Sequence, residues 1–284
     1  METVTRIAAA RAQLDRARAG GASVGLVPTM GYLHAGHASL IELAAAEHDV
    51  VAVTVFVNPL QFAPTEDLEA YPRDLDADSA LIERCGGTLL IAPSVEDMYP
   101  EPVLTSVQVA EISERLEGAS RPTHFAGVAT VVAKLFSIAG PCHAYFGEKD
   151  WQQVAVVRRM ARDLSFPVRV VACPTVREPD GLAMSSRNVY LTPAQRAAAP
   201  VLHRALEAGA DAIRAGTRDQ AAVEALVADL VRAEPEAELD YAAVVDAASL
   251  APCDPLAGEV RLLVAARFGR ARLIDNVGAV ATEG

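Results

Sequence analysis

No stretch of 18 consecutive apolar residues occurs in the 284-residue chain, so no segment reads as a membrane-spanning helix. The nearest candidate, residues 126–140, is interrupted by Lys134. Cationic residues are scarce: Lys plus Arg number 25 against 37 Asp plus Glu, a net charge of −12. A broad nucleic-acid or anionic-membrane surface needs the opposite balance, which leaves a local basic pocket for an anionic small molecule. Cysteine is sparse too. Cys85, Cys142, Cys173 and Cys253 are far apart and form no C-x-x-C pair, which argues against a zinc knuckle or a disulfide framework. Four reduced thiols suit a cytosol. The first twenty residues, METVTRIAAARAQLDRARAG, read as an amphipathic helix and lack the apolar region of a signal peptide. The expectation is therefore a soluble, cytoplasmic protein with no nucleic-acid or membrane partner. The chain contains neither G-x-x-x-x-G-K-[ST] nor G-x-G-x-x-G, so the usual NTPase and dehydrogenase readings lose their main support. It also lacks H-E-x-x-H.

What is present is a core. Hydrophobic residues make up 51% and charged residues 22%, which excludes intrinsic disorder. The length fits one large domain or two modest ones. Through about residue 175, strand-like and helix-like segments alternate. Strands are expected at Ser23–Pro28, Val50–Val57, Thr88–Ala92, His143–Phe146 and Val168–Ala172, and helices at Ala35–Glu47, Leu75–Cys85, Val128–Ala139 and Trp151–Asp163. The β-branched run VVAVTVFV at Val50–Val57 fits a central parallel strand buried on both faces. Repeated β-α units predict a Rossmann-like, doubly wound parallel sheet. Beyond residue 176 come two Ala-rich helical stretches split near Gly216 and Thr217. Apolar runs follow at Tyr241–Val245, Val260–Ala266 and Ala271–Asp275, the last two joined by a Phe268-Gly269-Arg270 turn. This predicts a smaller C-terminal α+β domain, with domains at 1–176 and 177–284.

Four segments carry chemistry. PTMGYLHAGH, Pro28–His37, lies where the first strand ends and a helix begins. Ligands collect at that edge of a parallel sheet, and a helix N-terminus offers N–H groups to phosphate. His34 and His37 project to one side of the turn and can donate to charge developing in a transition state; a pair of surface or core histidines is the competing reading. VFVNPLQF, Val55–Phe62, puts the neutral amides of Asn58 and Gln61 at a strand end. These suit hydroxyl and carboxylate groups of a small polar substrate, or form an Asn-Pro turn with a surface Gln. YFGEKDWQQ, Tyr145–Gln153, offers Gly147 for close backbone approach and Lys149 for phosphate. Asp150 can cap the helix or help hold a metal, and Gln153 can face the same pocket; a capped helix with solvated charges explains the segment equally well. REPDGLAMSSRNVYLT, Arg177–Thr192, sets Ser185, Ser186 and Arg187 in a row as a polyphosphate clamp or mobile lid, or is a plain interdomain loop.

Taken in order, the four segments resemble the pantothenate synthetase (pantoate–β-alanine ligase) family. The H-x-G-H and M-S-S-R elements are similar to the HIGH and KMSKS signatures of nucleotidylyltransferases and class I aminoacyl-tRNA synthetases. N-P-x-Q-F, A-Y-P-R-D (Ala70–Asp74), H-F-x-G-V-x-T-V-V (His124–Val132), G-E-K-D and M-S-S-R-N are more particular to the synthetase. The likeness runs from about Thr5 to Asn276. Departures are Tyr32 in place of a small residue, Trp151 in place of Tyr or Phe, and Arg121-Pro122-Thr123-His124-Phe125-Ala126 in place of R-P-G-H-F-R.

The resemblance implies a nucleotidylyltransferase-type sheet and a ligase joining pantoate to β-alanine at the expense of ATP, through a pantoyl adenylate, giving pantothenate, AMP and pyrophosphate. It implies His34 and His37 at the α-phosphate, and Lys149, Ser185, Ser186 and Arg187 at the β- and γ-phosphates. ATP would also meet Met30, Gly31, Tyr32, Leu33, Ala35, Gly36, Gly147, Glu148, Asp150, Val176 and Met184. Gln61, Gln153, Asn58, Tyr71 and Arg121 would serve pantoate and β-alanine. Mg²⁺ would bridge the phosphates, with Asp150 or Asp78 approaching it through water, and the assembly would be a homodimer. The M-S-S-R loop and Phe62–Asp74 are the expected covers over a hydrolysable adenylate. Rival readings are a nucleotidyltransferase that stops at a phosphate acceptor, and a silent nucleotide-binding module. A tRNA-charging enzyme is disfavoured by the acidic balance.

Overall fold

The computed structural model describes residues 1–62, 68–69 and 71–282. It divides into two compact units: Met1–Gly147 with Gln152–Cys173, and Glu148–Trp151 with Pro174–Gly284. The short piece Glu148–Trp151 thus groups with the C-terminal half of the chain.

The first unit is built on a six-stranded, wholly parallel sheet. Its elements in order are β1 (Glu2–Val4), α1 (Ile7–Ala19), β2 (Val24–Thr29), α2 (Ala35–Glu47), β3 (Val50–Val55), α3 (Leu75–Arg84) and β4 (Leu89–Ile91). Then follow α4 (Val95–Met98), α5 (Glu117–Ser120), α6 (His124–Ala139), β5 (Cys142–Gly147), α7 (Trp151–Asp163) and β6 (Val168–Cys173). The strand order is β1-β4-β3-β2-β5-β6. The chain winds outward from β2 through β3 to β4, then resumes on the other side with β5 and β6. The switch point therefore falls between β2 and β5, where open α/β sheets bind ligands at the carboxyl edge. Val51, Ala52 and Val53 of β3 are buried, as a β-branched run covered on both faces requires.

Two boundaries differ from expectation. The N-terminus is not helical throughout, since Glu2–Val4 forms an edge strand paired with β4 before α1 begins. Three residues are too few to show a period of two. Helix α6 starts at His124, one turn before the apolar pattern that announces it.

The second unit contains α8 (Pro193–Ala198), α9 (Val201–Arg214), α10 (Gln220–Arg232), β7 (Glu238–Asp246), β8 (Gly258–Phe268) and β9 (Ala271–Ala281). The strands form an antiparallel sheet in the order β7-β8-β9. Its core joins Leu202, Leu206 and Ile213 of α9 and Val223 and Val227 of α10 to Leu262, Val264 and Phe268 of β8. All four cysteines are free thiols. No helix of the described residues is long and apolar enough to cross a membrane.

Candidate active site

In the first unit the loop after β2 is held from beneath. Thr29 Oγ1 donates to Thr54 O at 2.6 Å and accepts Gly31 N at 3.2 Å. Gly31 takes φ +87°, and a Cβ there would come within 3.0 Å of both Asp78 and Val55. Tyr32 follows at φ 53°, a left-handed conformation that costs a non-glycine residue energy. Asp78 of α3 holds it there. The carboxylate is only 3% exposed and accepts Tyr32 N at 2.9 Å and Leu33 N at 2.7 Å. The group expected at a metal is thus engaged with the loop that carries the histidines. A cavity of about 280 Å³ opens beside this loop, walled in part by Met30, Gly31, Val57, Arg73, Asp78 and Ser94.

His34 is the N-cap of α2. Its Nδ1 accepts Gly36 N at 3.1 Å, and the Nδ1 of His37 accepts His34 N at 3.3 Å, a reciprocal capping box built from imidazoles. Acceptance at Nδ1 places the proton of each neutral ring on Nε2. The ring centroids lie 4.2 Å apart. A Cβ on Gly36 would sit 2.9 Å from the His34 ring, so the ring folds over a bare backbone. The helix start is less open than its sequence suggests, because the amides of Gly36, His37 and Ala38 all bond to His34. The donors this turn can offer an anion are chiefly imidazole N–H groups.

Asn58 and Gln61 are both buried. Asn58 caps the short 3-10 helix Pro59–Gln61 by accepting Leu60 N at 3.3 Å. Its Nδ2 donates to Gln61 Oε1 at 3.0 Å and to Gly127 O at 3.2 Å, and its Oδ1 accepts Tyr99 OH at 2.9 Å. Burial pushes the Tyr99 phenol up to about 12, so it stays a donor. Asn58 is therefore spent on fixing Gln61, whose amide is oriented with its NH₂ group as the remaining donor end. Arg121 donates to Gln61 O at 3.4 Å, and His124 Nδ1 lies 3.0 Å from the same oxygen. Tyr71 packs edge-on against Phe62 at 5.9 Å. Residues 63–67 and Ala70 of the expected cover lie outside the described residues.

Gln153 is half-buried on α7. Its neighbour Gln152, which sequence reasoning passed over, is only 3% exposed. Gln152 accepts Glu117 N at 3.1 Å and donates to Ile112 O at 2.8 Å and Arg115 O at 2.7 Å, fixing the turn that leads to Arg121.

In the second unit Lys149, Ser185 and Arg187 line one narrow cleft of about 10 Å³, together with Asn188, Arg272 and Asp275. Ser185 caps the 3-10 helix Ser186–Tyr190 and accepts Arg187 N at 3.3 Å. Met184 N donates to Val176 O at 3.0 Å, which ties the M-S-S-R stretch to the strand-like segment before it. Asn188 donates to Ala183 O at 3.1 Å, while its buried Oδ1 has no partner. Lys149 Nζ is 3.5 Å from Asp150 Oδ1.

The Glu148–Trp151 strap is held by residues no motif marks. Asn276 Nδ2 donates to Glu148 O at 2.9 Å and Lys149 O at 2.8 Å, and Arg261 pairs with Glu148 at 3.0 Å. The Arg261 guanidinium stacks 3.9 Å from the Trp151 ring centre, and the indole N–H reaches Ala247 O at 2.8 Å. That bond is one a Phe could not make. Asp275, 4% exposed, forms a bidentate pair with Arg177 at 2.6 and 2.9 Å.

Neither Asp78 nor Asp150 belongs to a group of three metal-ligating side chains; among the described residues the one such group is Glu47, His48 and His143. Asp150, an exposed carboxylate beside the Lys149 ammonium, fits an ion held mainly by phosphate oxygens and water, as Mg²⁺ is. Asp78, buried and bonded to two amides, does not.

The profile of the family described as pantoate-beta-alanine ligase matches residues 2–278. A pantothenate synthetase from Moorella thermoacetica is 53% identical over 277 residues, covering 98% of this chain and 98% of that protein. A crystal structure of pantothenate synthetase from Thermus thermophilus superposes with a TM-score of 0.91 at 53% identity, covering 98% and 99% of the two chains. A pantoate-beta-alanine ligase from Francisella tularensis, complexed with beta-gamma ATP and beta-alanine, superposes with a TM-score of 0.78 at 33% identity, covering 98% and 97%.

Proposed function

The chain belongs to the pantoate–β-alanine ligase family, and on that premise we propose how its residues divide the work. The activity is ATP-dependent formation of pantothenate from pantoate and β-alanine. A carboxylate is a poor acyl donor because its leaving group would be oxide. Attack of a pantoate carboxylate oxygen on the α-phosphorus of ATP breaks the bond to the β-phosphate bridge and releases pyrophosphate. The resulting pantoyl adenylate carries AMP as a competent leaving group. The β-alanine amine then attacks the acyl carbon, the amide bond forms, AMP leaves and the amine proton passes to solvent.

Such displacements need positioning and charge stabilisation more than a protein nucleophile. His34 and His37 donate through Nε2 to the α-phosphate, His37 being the stronger candidate proton donor. Lys149, Ser185, Ser186 and Arg187 take the β- and γ-phosphates as charge gathers on pyrophosphate. Met30–His37, Gly147–Asp150, Val176 and Met184 supply the remaining ATP contacts. Gln61, oriented by Asn58, and Gln153 bind pantoate, with Tyr71 and Arg121 toward the pantoate and β-alanine end. Mg²⁺ on the phosphates would neutralise their charge, and Asp150, beside Lys149, would meet it through water. The M-S-S-R loop acts as a cover that slows hydrolysis of the adenylate. The active assembly is a homodimer, readable by sedimentation equilibrium.

The observation that carries this reading is the cleft shared by Lys149, Ser185 and Arg187, distant in sequence yet adjacent in the second unit. The test measures AMP and pyrophosphate with each combination of ATP, pantoate and β-alanine. AMP release must require all three. A nucleotidyltransferase would release pyrophosphate without consuming any amine, and that outcome would overturn the proposal.

A further inference from the structure

In a β-α-β unit the helix runs back against its strands, so the C-terminus of α2 lies at the amino edge of the sheet, away from the His34–His37 turn. There Glu47 and His48 end the helix, and His143 is the second residue of β5. One ligand atom from each of the three lies within 4.8 Å of the others. The imidazoles of His48 and His143 meet edge to face, with centroids 4.8 Å apart. Room for His48 comes from Gly25 of β2, where a Cβ would sit 2.9 Å from the ring.

Three ring nitrogens of this cluster lack partners among the described residues. Both ring nitrogens of His48 and Nδ1 of His143 are buried without a hydrogen bond, an arrangement that costs free energy unless something satisfies them. Glu47 is already aligned, for its Oε2 accepts Tyr145 OH at 2.6 Å, which is how carboxylate ligands of metals are commonly oriented. Asp49 is no competitor, since its carboxylate accepts Ser23 N at 2.9 Å and Ser23 Oγ at 2.8 Å. We propose that Glu47, His48 and His143 form a structural site for one divalent cation of the zinc class, clipping the end of α2 to β5.

Zinc holds nitrogen and carboxylate ligands at about 2.0–2.2 Å, two protein nitrogens and one oxygen leaving the fourth position to water. The three ligand atoms, now within 4.8 Å of one another, would have to draw closer together around a bound ion. The partial negative charge at a helix C-terminus also favours a cation there. The opposing group on this face is Arg169, directly across from His143 in the β5–β6 pairing. Helix α2 has 13 residues and so spans about 20 Å. The clip would anchor the far end of the helix that begins with the catalytic imidazoles.

The test uses the full chain, stripped with chelator, with Zn²⁺ titrated by calorimetry and Co²⁺ as a spectroscopic probe. One equivalent should bind, with a tetrahedral Co²⁺ absorption band and a raised melting temperature. His143→Gln and, separately, Glu47→Gln should weaken that binding by about tenfold or more, the usual cost of losing a ligand or its support. His37→Gln should leave it intact, and Arg169→Gln should strengthen it. Glu47 is exposed, so its variant remains informative if His143→Gln fails to fold by circular dichroism. The proposal is overturned if the chain binds no Zn²⁺. It is equally overturned if binding survives both cluster substitutions, or disappears with His37→Gln while the cluster variants retain it.

Discussion

Asn276 donates its side-chain amide to the carbonyl oxygen of Lys149 at 2.8 Å, across 127 positions of sequence. Its second amide hydrogen goes to Glu148 O and its Oδ1 accepts Arg261 Nε at 2.7 Å, so every polar atom of the side chain is used. Asn276→Ala would leave two strap carbonyls and one guanidinium N–H unanswered. Each unsatisfied buried group costs about 1–3 kcal/mol. The expected result is a lower melting temperature together with a raised KM for ATP, because Lys149 loses its backbone anchor. Unchanged thermal stability would refute the positioning role.

Lys149→Ala should slow adenylation, measured as pantoate-dependent exchange of pyrophosphate into ATP, by about 10²-fold, as for loss of one charge-stabilising group. Pre-formed pantoyl adenylate should still react with β-alanine at near the parental rate. Equal loss in both half-reactions would place Lys149 elsewhere than the polyphosphate.

For His37→Ala the expected loss in turnover is about 10²–10³, with only a small change in melting temperature, because the capping bond lost, from His34 N to the His37 ring, is long at 3.3 Å and Gly36 N keeps the ring of His34. Activity within a fewfold of the parent would remove His37 from the mechanism.

Gly127 lies where α6 presses on the 3-10 helix carrying Gln61. A Cβ there would stand 2.0 Å from Leu60 O and 2.8 Å from Gln61 N. Gly127→Ala therefore forces the two helices apart, at a cost of about 1–3 kcal/mol or more, and moves Gln61. Denaturant unfolding should show the loss, and KM for pantoate should rise while KM for ATP changes less.

His203 supplies a pH dependence. Burial, with Arg177 adding to it against Asp275 and Glu207, lowers its pKa from 6.5. The unfolded chain then binds a proton that the folded one resists, so this contribution is fully present above pH 6.5 and declines as the solution is acidified below it. His203→Gln should flatten the fall in unfolding free energy between about pH 7 and 5 relative to the parent. An unaltered slope would contradict the assignment.

The parallel sheet was legible because its strands are apolar runs bounded by turn residues. Helix α2 was legible to the residue, since His34 and His48 are its N-cap and C-cap. Motif spacing likewise picked out Lys149, Ser185 and Arg187, which the second unit brings to one cleft. What stayed hidden is long-range and polar. Nothing near Asp78 announces that it will hold Tyr32 and Leu33, 46 and 45 positions away. The supports from Gln152 and Asn276 are equally silent, because a buried amide in sequence looks like an exposed one. Asn58 pointed toward a ligand by type, yet its hydrogen bonds all close within the protein.

One imidazole both initiates α2 and, in the proposed mechanism, meets the α-phosphate. Because the ring of His34 answers the Gly36 amide, an alanine there would loosen a helix end and remove the proposed donor in a single step. Inactivity of an alanine variant at His34 would thus conflate two losses. Gly36 is constrained as well, since a methyl group would collide with the same ring.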